Sequence, residues 1–90
     1  MKIACIQNRR TRQSRNEKAY VEMCGCEVDL LAPVRIGKPL FLERIRAADG
    51  AEDVGLIKTT NVQKVSSWLE DGVAIGECVT TENSIYFLKR

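Results

Sequence analysis

Turn-forming residues recur along this chain at a spacing that leaves room for strands and for little else. Gly37-Lys38-Pro39, Asp49-Gly50, Asp71-Gly72 and Glu82-Asn83 punctuate it, and each contains a residue that tolerates positive φ. Between them apolar and polar residues alternate. Leu40, Leu42 and Arg44 fall on one side of a strand, Phe41, Glu43 and Ile45 on the other. The run Gly55-Leu56-Ile57-Lys58-Thr59-Thr60 is rich in β-formers. In Ser84–Leu88, Ile85 and Phe87 oppose Tyr86 and Leu88. That strand is apolar on both sides and is expected at the centre of a sheet. Short strands with a turn every ~8–12 residues indicate a small barrel or sandwich.

Three stretches admit two readings. Val62, Val65, Trp68 and Leu69 fit a helical stripe capped by Asn61. The strand reading of residues 61–69 is preferred, because Asp71-Gly72 then makes a hairpin into Val73-Ala74-Ile75. From Tyr20 the pattern is period two, with Tyr20, Cys24, Cys26, Val28 and Leu30 on one face and a bend at Gly25. A helix over 15–24 competes with it, and Ser14 followed three residues later by Glu17 would form a capping box. Ile3–Ile6 reads as a short strand or an unpaired tail.

Charge divides the chain. Residues 1–18 hold six bases and one acid, a net of +5, and residues 19–90 hold eight bases and eleven acids, a net of −3. No core-forming residue occurs in 7–18. The expectation is a basic N-terminal arm, 1–18, on a single small β domain, 19–90. Deleting such an arm should hardly change the melting temperature. The domain's five aromatics are expected to supply much of the core, and Phe87→Ala should cost about 3–5 kcal/mol.

From Ile36 to Leu88 the segments GKPLFL, IKTTNVQKV and VTTENSIYFL resemble short bacterial and phage-like proteins of unknown function. Those have strand-Thr-Thr-strand units and end on a T-x-NS-x-Y strand. The resemblance implies a mainly β fold: a small SH3-like barrel or compact antiparallel sheet, with room for one short helix. It implies no active site.

The chemistry in the chain points away from catalysis. There is no histidine, which removes the commonest general base and Ser-His or Cys-His nucleophile pairs. Gly37-Lys38 lacks the glycine spacing of a phosphate-binding loop. Cys5, Cys24, Cys26 and Cys78 provide one C-x-C and no second knuckle, so they are expected as reduced thiols packed in the fold without metal. The acidic loop Asp49–Asp53 lacks the ligand schedule of a calcium loop. No secretory or membrane-spanning segment is legible, so the expected location is cytoplasmic and no membrane or cofactor partner is expected.

Two functions remain. One is a non-catalytic protein-interaction or assembly module, acting on a protein partner or by self-association. The other is a small accessory nucleic-acid-binding protein. Its candidate binding residues are Arg9, Arg10, Arg12, Arg15 and Lys18, which would neutralise phosphates. No aromatic lies among them to stack on bases.

Overall fold

Strand character governs most of the chain in the computed structural model, which describes residues 1–90. Six strands and one helix follow in order: β1 (Lys2–Asn8), α1 (Lys18–Met23), β2 (Glu27–Leu30), β3 (Pro39–Arg46), β4 (Glu52–Glu70), β5 (Val73–Thr81) and β6 (Ser84–Lys89). Every pairing is antiparallel, and the order β1-β2-β3-β4-β5-β6 closes into a barrel. The closing ladder runs from Lys2↔Lys89 to Asn8↔Ser84, whereas β1 and β2 share only Lys2↔Glu27. No helix is long and apolar enough to cross a membrane.

Residues 52–70 form one strand, as the strand reading of 61–69 requires. Its first part pairs with β3 and its part from Val62 onward pairs with β5. The turn to β5 is made by Asp71 and Gly72 at φ 51° and 79°. That left-handed pair matches the twist of a two-residue hairpin. The helical look of Val62 and Val65 has a β cause. The register shifts between Val62 and Lys64, so the extra residue Gln63 turns two side chains three apart toward the same face. The same device acts in β1, where the shift between Ile3 and Cys5 lets Ile3 and Ile6 both point into the barrel.

The core is aliphatic and drawn from every strand. It comprises Ile3 and Ile6, Cys26 and Val28, Leu40 and Leu42, Ile57 and Val62, Val79, and Tyr86 with Leu88. Tyr86 is its one aromatic residue. Phe41, Trp68 and Phe87 are half-buried on the outer surface instead, and Tyr20 lies against the core from α1. The interior of a small barrel is filled by inward side chains, and here branched aliphatics fill it. The rings fall on the opposite parity of their strands. Burial pushes the Tyr86 phenol up to about 12, so it stays neutral at physiological pH.

Two local expectations are corrected. Residues 18–23 are helix rather than strand, so Tyr20 and Cys24 do not share a strand face with Val28. Tyr20, Met23 and Cys24 pack against the core from this helix and the residue after it, and the chain bends at Gly25 before β2. The helix starts at Lys18 with Glu17 as its N-cap, without a side-chain cap bond. Ser14 is held in an extended bridge opposite Gln7, which leaves it too early for a capping box. The segment 1–18 is also not a separate arm. β1 is part of the barrel wall, and Ile3 and Ile6 are 0% and 1% exposed.

No disulfide joins the cysteines. Cys26 is buried and its thiol donates to the Glu22 carbonyl at 3.2 Å, while Cys5, Cys24 and Cys78 are half-buried. Burial pushes the thiols of Cys24, Cys26 and Cys78 up.

Candidate functional site

Register across three ladders builds one outer face of the barrel. Lys64, Thr80, Ile85 and Gln7 align in one row, because Lys64 pairs with Thr80, Thr80 with Ile85, and Ile85 with Gln7. Ser66, Cys78, Phe87 and Cys5 align in the next row. Trp68 meets Phe87 edge to face, with centroids 5.5 Å apart and planes at 77°. This is a favoured aromatic geometry. The face therefore carries polar residues at one end and an aromatic pair at the other.

The loop after β1 raises a wall on this face. Asn8 organises it: its side-chain carbonyl accepts from the backbone N–H groups of Arg10 and Thr11 at 2.9 and 3.2 Å. Its backbone carbonyl accepts from the Arg12 N–H at 2.8 Å, and its own N–H donates to Gln13 at 2.9 Å. The chain is thereby wound so tightly that Arg12 adopts φ 61°, a left-handed conformation that disfavours a residue with a Cβ. Arg9 and Arg12 then stand across from Gln63 and Lys64 of β4. Between them lies a groove of about 510 Å³ with Ile85, Phe87 and Cys78 on its floor. Arg9, Arg12 and Lys64 make no salt bridge, and no carboxylate lines the groove. Cys78 keeps its proton because burial raises its pKa, so the floor carries no charge.

A second, wholly polar hollow of about 520 Å³ lies on the other flank of this loop, between Arg9, Arg10 and the Glu82-Asn83 turn. Arg9 lines both.

The five expected site residues thus part company. Arg9 and Arg12 line the groove and Arg10 the adjoining hollow. Arg15 is bound into the fold. Its Nε donates to the Ser84 hydroxyl at 2.8 Å and a terminal nitrogen to the Asn83 carbonyl at 2.6 Å. Its guanidinium lies 4.7 Å from the centre of the Tyr20 ring. Lys18 projects from α1 beside Glu22 at 3.9 Å and lines neither hollow. Charge counting along the sequence could not separate these roles. It also missed Lys64 and Phe87, which lie more than fifty residues from the loop that they face. The one legible signal was the alternation in Ser84–Leu88, which puts Phe87 on the face opposite Leu88.

The Thr81-Glu82-Asn83-Ser84 turn shows what its motif does. The Thr81 hydroxyl donates to the Ser84 carbonyl at 3.1 Å and accepts from the Ser84 N–H at 3.2 Å. Both residues are buried, so this pairing satisfies groups that would be costly to leave unpaired.

The strain at Arg12 gives a direct test of whether that residue serves the fold. Arg12→Gly should raise stability by about 0.5–1 kcal/mol, because glycine removes a left-handed penalty of about 1–2 kcal/mol but loses more chain entropy. Thermal unfolding measures it. A clear loss of stability would mean that the Arg12 side chain holds the loop.

Comparison with protein-family models, with curated proteins and with solved structures finds no match for the chain.

Proposed function

We propose that this chain is a non-catalytic binding module whose groove takes single-stranded nucleic acid. The observation that carries this reading is the convergence of Arg9, Arg12 and Lys64 on a groove floored by Phe87. Binding of this type combines cations that follow a phosphate backbone with an aromatic face on which bases stack. The amides of Gln7 and Gln63 and the hydroxyls of Ser66 and Thr80 are donors suited to phosphate, sugar or base edges. The adjoining hollow, lined by Arg9, Arg10 and Arg15 with Glu82 as its one carboxylate, continues the polar track past the loop.

Fluorescence anisotropy with a labelled oligothymidine, repeated over a range of salt, tests the reading. The wild type should bind with log K falling linearly against log salt. The triple variant Arg9→Ser, Arg12→Ser, Lys64→Ser should lose affinity, and its salt slope should flatten by about 2, at ~0.7 per phosphate contact for a single strand. Phe87→Leu keeps an apolar floor but removes the ring. It should cost about 1–3 kcal/mol of binding with the salt slope unchanged. Salt-insensitive binding, or none, by the wild type would refute the proposal.

The reading as a protein-interaction or assembly module is favoured by a different surface, the exposed Val54 and Leu56 on β4, at 66% and 64%.

A further inference from the structure

β4 changes partner midway, and this leaves an edge open. Residues 52–61 pair only with β3, and pairing with β5 begins at Val62. The second row of backbone N–H and C=O groups in the first part of β4 therefore meets no other strand. Along 52–60 exposure alternates. Glu52, Val54, Leu56, Lys58 and Thr60 are exposed, and Asp53, Gly55, Ile57 and Thr59 are more buried. Val54 and Leu56 are the most exposed large hydrophobic residues in the chain. An open strand edge that also exposes apolar side chains is a template for pairing with another strand.

From this edge we infer that two copies of the chain pair antiparallel through the first part of β4, about a two-fold axis at Gly55. The sequence of the edge is complementary to itself in that register. Glu52 of one copy stands opposite Lys58 of the other, and Val54 opposite Leu56, and symmetry repeats both pairs. Two oppositely charged pairs then flank a four-residue apolar centre. Directly opposed pairs of these kinds stabilise antiparallel ladders. A shift of two residues along the partner loses the complementarity, because Lys58 would then face Val54 and Glu52 would face Thr60. Neither Glu52 nor Lys58 is held by a salt bridge within the chain. Lys58 lies 5.8 Å from the centre of the Phe41 ring on β3, a contact that it would leave to reach Glu52 of the other copy. Such an isologous contact closes on itself and yields a dimer with no further growth. The nucleic-acid groove involves β4 from Gln63 onward and stays open on both copies.

Sedimentation velocity across a concentration series tests the dimer. The wild type should approach twice the monomer mass at high concentration. Leu56→Lys should keep it monomeric with an unchanged circular-dichroism spectrum. Glu52→Lys or Lys58→Glu alone should weaken dimerisation about ten-fold, since each puts like charges opposite one another twice. The double variant Glu52→Lys, Lys58→Glu should restore it. The triple variant Arg9→Ser, Arg12→Ser, Lys64→Ser should dimerise as the wild type does. A wild type that stays monomeric at millimolar concentration overturns the inference. So does a dimer that survives Leu56→Lys, or one that the double reversal fails to restore after the single changes have weakened it.

Discussion

Removal of residues 1–18 is expected to abolish cooperative unfolding, and Ile6→Ala alone to lower stability by about 2–5 kcal/mol. Ile3 and Ile6 are fully buried, and their strand supplies the whole ladder against β6 that closes the barrel. A domain has only about 5–15 kcal/mol of net stability. Losing two core side chains and a wall strand exceeds what a chain this small can absorb. Guanidinium titration monitored by circular dichroism measures both effects. A truncated chain that still unfolds in a single sharp transition would mean that β1 is dispensable. The arginines after this strand should separate in the same assay. Arg9, Arg10 and Arg12 are exposed, and replacing all three by Ser should leave the midpoint nearly unchanged. Arg15→Ser should cost about 1.5–3 kcal/mol, because it removes charged hydrogen bonds to Ser84 and Asn83.

Gly76→Ala should be nearly as damaging, at about 3 kcal/mol, the upper end of what overpacking costs. Gly76 is in the interior of β5, opposite Trp68 on β4 and Lys89 on β6. A Cβ there would run into the Leu88 backbone carbonyl oxygen. Backbone in a paired strand cannot swing aside as the end of a flexible side chain can. The substitution must therefore push β6 away from β5 next to Leu88, which is itself 2% exposed in the core. A lowered denaturant midpoint with an unchanged slope is the expected signature. A change below about 0.5 kcal/mol, the usual range for surface positions, would mean that the two strands separate without cost. Phe87→Ala, by contrast, should fall short of the 3–5 kcal/mol of a buried Phe, because its ring lies half-buried outside the barrel against Trp68.

The strands from Pro39 onward were legible because their signals are local. Asp71-Gly72 fits a two-residue hairpin by its backbone preferences alone. Alternation in Leu40–Ile45 and Ser84–Leu88 assigned faces before any partner was known. Residues 18–26 were not legible in the same way. The spacing of Tyr20, Cys24, Cys26 and Val28 suits a strand, and the helix over Lys18–Met23 is held by Tyr20 and Met23 packing on a core built elsewhere. Aromatic residues misled for a related reason. Hydrophobicity shows that a ring wants cover, but only strand register decides whether the interior or a neighbouring ring supplies it.

Local sequence encodes a β fold, the positions of its turns, and the parity of the side chains within each regular run. These follow from φ preferences and from the two-residue repeat of a strand, which neighbouring residues specify. The runs that it marks as separate short strands over 55–60 and 61–69 join in the nineteen-residue β4. Tertiary structure decided what depends on distant pairs. Bulges at Ala4 and Gln63 shift two registers by one residue and so bring Ile3 with Ile6, and Val62 with Val65, onto one face. Closure of β1 on β6 converts an apparent basic arm into barrel wall and binds Arg15 to the Thr81–Ser84 turn. The same closure brings Arg9 and Arg12 across from Lys64 and above Phe87. A bulge is one extra residue, and its place is set by which partner strand lies alongside. No local pattern encodes that partner.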